Sequence, residues 1–251
     1  TIGGPFFSFF KQNAINQKNK RSEQNILSLI LKFFRKYKIG IYILLFVFLF
    51  KIGEAFLGRM SIVFYKEIGF TKGDIAIYSK AFGWITTVIF TLLGGIFAMR
   101  AGTIKTMFVA GVLMAGSNLL FSLLDWFIQT IPLTIYQFDM NFISHTWDFE
   151  ISNHQLVFGL TVILDDIAAA FATVAFVAFI SLLVNRAYTA TQYALLASLG
   201  TAGRTLMASS SGALVDWLNG DWGTFFILTA LMVIPSLILL WSMRYKIKLN
   251  E

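Results

Sequence analysis

The chain reads as an all-α membrane protein of six transmembrane helices, and three observations predict this. Hydrophobic residues make up 57% and charged residues 13% of its 251 residues, whereas a soluble domain carries roughly 25% charged residues. Six apolar stretches recur along the chain, each near the ~20 residues that a bilayer core requires. The basic residues then gather on one side of those stretches, as they do in proteins whose cytoplasmic loops hold the positive charge.

Composition also excludes several classes. Twenty basic and 13 acidic residues cannot cover a water-exposed globule of this size, and 27 phenylalanines point to lipid as the main solvent. With no cysteine there is no disulfide framework, thiolate metal site or cysteine nucleophile. The net charge of +7 does not imply a nucleic-acid partner, because its basic residues sit at membrane edges. Only Pro5, Pro132 and Pro235 interrupt the chain, so long helices are expected. The sequence starts Thr-Ile-Gly-Gly-Pro, without Met or a signal-peptide pattern, which reads as a fragment of a longer protein.

Residues 1–38 form an expected cytoplasmic linker. Its polar start passes into Ile26, Leu27, Leu29, Ile30 and Leu31, closed by Lys32, Arg35, Lys36 and Lys38. This pattern suits a basic helix on an anionic membrane surface, or an early extension of the first span. Residues 39–251 form the bundle. Its helices are predicted at roughly 39–64, 75–99, 107–124, 156–184, 191–214 and 225–243, with an outer loop over 125–155. With the N-terminus in the cytoplasm, fourteen basic residues fall on the cytoplasmic side and only Lys66 and Lys72 on the other. Eight acids, among them Glu67, Asp74, Asp125 and Asp221, lie on the outer side. Both termini are therefore expected in the cytoplasm.

The outer loop is acidic and aromatic, and Tyr136, Phe138, Phe142, Trp147 and Phe149 suit a belt at the lipid interface. His145 and His154 lie near Asp148 and Glu150 without compact ligand spacing, so a solvated loop is expected there and no metal. No cofactor motif and no enzyme signature is present. An acidic metal motif at Asp165-Asp166 lacks the second acidic motif that a membrane prenyltransferase needs.

The informative residues are ionisable groups inside the apolar stretches: Lys51, Glu54, Arg59, Lys80, Asp165, Asp166 and Arg204. Each costs roughly 2.5–3.5 kcal/mol at the centre of a membrane helix, so such residues face a bundle interior or an aqueous cavity. Lys51 and Glu54 share one helix face, and Gly53 and Gly58 beside them admit a close neighbour. This pair either forms part of a site or neutralises itself to hold the helix in register. Asp165 and Asp166 point about 100° apart, one toward a cavity and one toward a neighbouring helix. Arg204 is their expected countercharge. Lys80 sits nearer the outer surface, and Arg59 can snorkel outward. The fifth helix is dense in small residues from Ala197 to Gly212, a signal of close packing or of a sliding interface.

These residues bring a family into view. The stretch Asn185-Arg-Ala-Tyr-Thr-Ala-Thr-Gln-Tyr-Ala-Leu-Leu-Ala-Ser-Leu-Gly-Thr-Ala-Gly-Arg204 resembles the Asn-Lys-x-Tyr/Phe-Ser/Thr-Ala-Thr-Gln-Phe/Tyr-Ala-Leu-Leu-Ser pattern of AmpG-type muropeptide permeases, which ends in Gly-Arg. Phe50-Lys-Ile-Gly-Glu-Ala-Phe56, Lys80-Ala-Phe-Gly83, Ala115-Gly-Ser-Asn118 and Ala175-Phe-Val-Ala178 agree in order, so the resemblance runs from about Ile41 to Arg244. It implies the C-terminal half-bundle of a major facilitator fold. It puts Lys51, Glu54, Lys80, Gln192 and Arg204 at motif positions as substrate-binding or coupling candidates, joined by Asp165 and Asp166. Asp165-Asp166 departs from the Glu-Asn frequent in that family. The turn at Gly95, Arg100 and Gly102 resembles the superfamily's conformational loop, with Met99 where an Asp is usual.

The resemblance implies a secondary transporter importing muropeptides through a bacterial inner membrane, by alternating access and with proton coupling. Its partners would be the lipid bilayer, an N-terminal six-helix half and a small anionic solute. Acetyl-CoA carriers share the scaffold, and a truncated or decayed permease is the alternative from another class.

Overall fold

The computed structural model describes residues 38–142, 145–183 and 189–248, without the side chains of 38–41, 138–149, 189–192, 195 and 245–248. The basic linker, Asn185 to Tyr188 and the Gln192 side chain lie outside this set. The chain divides into residues 1–44 and residues 45–251. Of the first unit only the start of helix α1 (Lys38–Phe50) is described, and the account below concerns the second.

Apolar runs without proline give long helices. Among the described residues, four segments are long and apolar enough to cross a membrane: Lys72–Ala101, Thr103–Thr130, Asn153–Leu183 and Trp222–Arg244. The first contains a four-residue turn of helix, α3 (Lys72–Ile75), then a π-helical stretch over Ala76–Phe82 and α4 (Gly83–Ala101). Thr71 caps its start, accepting from the Asp74 amide while the Asp74 carboxylate accepts from the Thr71 amide. Gly102, with φ +86° and ψ 151°, makes the reversal into α5 (Thr103–Thr130). That backbone region is essentially closed to residues with a Cβ. The next spans are α6 (Asn153–Leu183) and, in two pieces, α9 (Trp222–Leu231) with α10 (Ile234–Lys248).

Pro235 accounts for that break. It has no amide hydrogen, and its ring collides with the carbonyl four residues back, that of Leu231, where α9 ends. The Val233 carbonyl accepts from the Ser236 amide at 3.1 Å and from the Ser236 hydroxyl at 2.7 Å.

The first and fifth predicted helices are also interrupted. Lys51 separates α1 from α2 (Ile52–Glu67). Ser210 separates α7 (Thr189–Ser209) from α8 (Ser211–Trp217). At the second break the hydroxyls of Ser209, Ser210 and Ser211 each donate to the carbonyl three residues back, at 2.6–2.7 Å. Three consecutive side chains competing for the ladder loosen the helix there.

Helices α5 and α6 are central. They pack on each other, α4 lies on α6, α9 on α5 and α2 on α7. At one end Phe64, Tyr65, Phe121, Phe158, Trp222, Phe225 and Phe226 interlock. Phe64 meets Phe226 edge-on with centroids 4.8 Å apart, and Tyr65 meets Phe158 likewise at 4.8 Å. Such pairs contribute ~0.5–1.5 kcal/mol each beyond burial. That matters in lipid, where helices attract through packing rather than by escaping water. The outside is apolar as well: Trp84, Leu92 and Met99 on α4 are 72%, 67% and 81% exposed. A water-soluble monomer rarely shows so large a greasy surface.

The predicted loop 125–155 differs. Helix α5 runs on to Thr130, and residues beyond it pair as an antiparallel hairpin, β1 (Ile135–Phe142) with β2 (His145–Ser152). Among the described residues the protein is mostly helical with one hairpin, which fits an all-α membrane protein. His154 Nε2 lies 2.9 Å from the Ile131 carbonyl, and its ring packs edge-on against Phe127. Among the described residues no cluster of His, Asp or Glu is arranged to hold a metal.

Candidate functional site

Two helix breaks meet inside the bundle. Lys51 stands at the first, with φ −93° and ψ 10°, and Gly53 follows. A Cβ on Gly53 would lie 2.6 Å from Val233 Cγ2 and 3.3 Å from the Thr229 carbonyl oxygen, so glycine is what lets α2 rest on the Pro235 break. Thr229 and Asn118 seal this crossing, with Asn118 Nδ2 3.2 Å from Thr229 Oγ1 and both side chains buried. Non-helical backbone at membrane depth persists only where protein surrounds it or water reaches it.

The charges gather around that crossing. Lys51 Nζ lies 3.0 Å from Glu54 Oε2, and Arg204 Nη1 lies 3.5 Å from Glu54 Oε1. One carboxylate from α2 is thus shared by a cation at the α1–α2 break and a cation from α7. Lys51 also donates to Thr173 Oγ1 of α6 at 3.3 Å and lies 5.7 Å over the Phe176 ring. The Lys51 and Glu54 side chains are 11% and 16% exposed, whereas Arg204 is 48% exposed. The pair is therefore embedded, and Arg204 is its accessible edge.

The acidic pair on α6 splits as the 100° rotation requires. Asp165 lies beside the Ser117 hydroxyl of α5 and within electrostatic reach of Glu54. Asp166 turns to α4, where a Cβ on Gly83 would stand 2.5 Å from its Oδ2. That oxygen is buried without a hydrogen-bond partner among the described residues. Lys80 is the cation that acts on Asp166, and it is exposed. Asp165 is twelve residues into α6, ~18 Å from the helix start at 1.5 Å per residue.

Sequence reasoning found these residues but assigned one partner differently. Arg204 pairs with Glu54 rather than with Asp165 or Asp166, because α7 packs on α2. Lys51, Glu54 and Arg204 come together, Lys80 joins Asp166, and Arg59 is exposed away from them. Gly95, Arg100 and Gly102 lie apart from the charges, at the α4–α5 end. Thr173, Phe176, Ser117 and Gly83 were missed as contributors. The first two carry no signal by residue type, since a threonine and a phenylalanine in an apolar helix are ordinary.

The fold and the charged crossing define a polytopic helical membrane protein whose interior carries paired ionisable groups. Known proteins narrow that class. The chain is 30% identical over 244 residues to Putative transporter AmpG 4 of Rickettsia conorii and 31% identical to its counterpart in Rickettsia felis, in each case over 93% of this chain and 53% of the relative. It is 26% identical over 226 residues to the anhydromuropeptide permease of Escherichia coli K12, over 90% of this chain and 40% of that protein. The resemblance to AmpG-type transporters therefore holds across nearly the whole chain, and the chain spans about half the length of the curated relatives it matches. No family model matches it.

Proposed function

We propose that these 251 residues form one half, the C-terminal one, of a secondary transporter that carries anionic muropeptide-like solutes across a bacterial inner membrane. The observation that carries this reading is the Glu54 carboxylate held between Lys51 and the half-exposed Arg204, beside two interrupted helices. Broken helices flanking buried charge are how transporters build a midplane site. The names of the relatives supply the class of solute.

In this reading the first predicted span is α1 with α2 and the fifth is α7 with α8, which with the four long segments makes six, both termini cytoplasmic and residues 1–38 serving as the linker. Lys51, Arg204 and Lys80 attract the anionic solute, with Gln192 contributing from α7. Glu54, Asp165 and Asp166 neutralise these cations in the empty state. An entering anion takes over a cation, and the released carboxylate exchanges a proton. That couples solute to proton. The exposed faces of α4 and α7 suit contact with an N-terminal six-helix half, against which this bundle rocks. The turn at Gly95, Arg100 and Gly102 would move with it.

The test is uptake by the complete reading frame in membrane vesicles. Proton-driven accumulation of anhydromuropeptide is expected, with none from residues 1–251 alone. Correctly inserted full-length protein that accumulates nothing would instead make the chain a decayed permease, and accumulation of acetyl-CoA in its place would change the solute.

A further inference from the structure

The hairpin between α5 and α6 has two chemically opposite faces. Its register sets Tyr136, Phe138 and Met140 against Ile151, Phe149 and Trp147. The alternate positions, Gln137, Asp139 and Asn141, oppose Glu150, Asp148 and Thr146. Successive residues of a strand belong to opposite faces, so one face is aromatic and aliphatic up to His145 at the tip, and the other, beyond Ile135 at the base, is polar with three acids and no base.

The base of this hairpin is clamped to the ends of the helices. Asn153 Oδ1 accepts from the Thr134 amide at 3.0 Å, and Asn153 Nδ2 donates to the Pro132 carbonyl at 2.9 Å. Ser152 and Gln155 exchange bonds, and Gln155 Nε2 reaches Asp74 Oδ1 at 2.8 Å. The hairpin therefore leaves the bundle where two apolar segments end, within 22 residues of chain between Thr130 and Asn153. Those ends are themselves apolar and exposed: Leu123, Trp126 and Leu133 are 58%, 58% and 59% exposed.

A two-stranded hairpin is marginal in water unless something covers its apolar face. Its outer strand edges leave amide and carbonyl groups that hydrocarbon cannot satisfy, so it cannot sit inside the bilayer core. The headgroup region meets both demands, and it is where tryptophan and tyrosine concentrate. We propose that the hairpin Ile135–Ser152 lies flat on the membrane, its Tyr136–Met140 and Trp147–Ile151 face resting in the lipid headgroup region and its acidic face turned to water. It would act as a fixed float that holds the α5–α6 end at one depth.

Single cysteines test this in the full-length protein in phosphatidylethanolamine–phosphatidylglycerol nanodiscs, since these 251 residues contain no native cysteine. Phe138→Cys, Met140→Cys and Trp147→Cys sample one face; Asp139→Cys, Asn141→Cys and Asp148→Cys sample the other. Tyr136→Cys and Gln137→Cys, near the clamped base, replace any variant that does not express. Each carries a nitroxide, whose collisions with oxygen and with a water-soluble nickel chelate are read. The expected result is strict alternation, several-fold more oxygen collisions on the apolar face and several-fold more nickel collisions on the acidic face. An apolar face shielded from both reagents would mean that protein covers it, and the proposal fails. Equal nickel access on both faces would mean a hairpin standing in water, and the proposal fails equally.

Discussion

At the hairpin end of the bundle, Phe64, Phe121, Trp222 and Phe226 interlock, Phe64 edge-on to Phe121 and Phe226 and Trp222 stacked on Phe226, all buried. About 10 Å further along α6 than Phe158, two helices are broken; Lys51, Glu54 and Arg204 come together there, with Asp165 within electrostatic reach of Glu54. The first region has few polar groups to satisfy, and its geometry follows from ring shape. The second carries groups that each cost free energy to hold in lipid, on backbone that has given up part of its hydrogen-bond ladder. A membrane bundle built only to be stable would repeat the first pattern throughout. The contrast sets a packing region at the aromatic end against the proposed site at the charged crossing.

The largest effect should come from the aromatic end. Phe64→Ala removes a fully buried ring that touches Tyr65, Phe121, Trp222 and Phe226, at a cost of ~3–5 kcal/mol. The expected readout is a large fall in folded yield and in the unfolding midpoint in detergent. A midpoint like that of the unsubstituted protein would break the comparison.

Gly102→Ala should come next, at ~1–3 kcal/mol, since φ +86° with ψ 151° strains any residue with a Cβ. A cost below that range, measured by the same unfolding midpoint, would mean that the α4–α5 turn relaxes.

Asp221→Ala should cost about 1 kcal/mol as loss of a helix cap. Asp221 accepts from the Thr224 amide at 2.9 Å and the Thr224 hydroxyl at 2.6 Å, and these bonds hold its carboxyl below the ordinary carboxylate range. A depressed carboxyl stabilises the fold above its unfolded pKa, and that contribution is lost as pH falls through its folded value. The difference between wild type and Asp221→Ala should therefore shrink on acidification below about pH 4. A difference that stays constant from pH 7 to pH 3 would remove the charge from the account.

The smallest effect is expected at Arg59. It is exposed and makes no ion pair among the described residues, so Arg59→Gln should change stability by no more than about 0.5 kcal/mol. It should leave uptake unchanged, which makes it the control for charge removal as such.

Much of this contrast was legible in the sequence. A lysine, glutamate, arginine and two aspartates inside apolar runs are visible without coordinates, because lipid makes each of them costly. The existence of α5 and α6 followed from the same apolar runs, although α5 starts four residues earlier and ends six residues later than predicted. Pro235 marked its break in principle, through the amide it lacks. The Lys51 break and the π-helical stretch at Ala76–Phe82 had no such marker, since neither contains proline. Arg204's partner was illegible for a different reason: distance across a bundle depends on which helices cross, and residue spacing within α7 says nothing of α2. The hairpin was legible and missed. Tyr136, Phe138, Met140 and Phe142 alternate with polar residues, a period of two inside what was read as a loop.

The most direct test of the central claim is solute binding by folded protein carrying Lys51→Gln, Glu54→Gln or Arg204→Gln in the full reading frame, with the unfolding midpoint measured on the same preparations. If the crossing is a site, each variant should keep a folded yield close to wild type and lose binding by roughly thirtyfold or more, the equivalent of ~2–5 kcal/mol for breaking one member of a buried charge pair. Wild-type binding of anhydromuropeptide by all three folded variants would contradict it and leave these charges as packing devices.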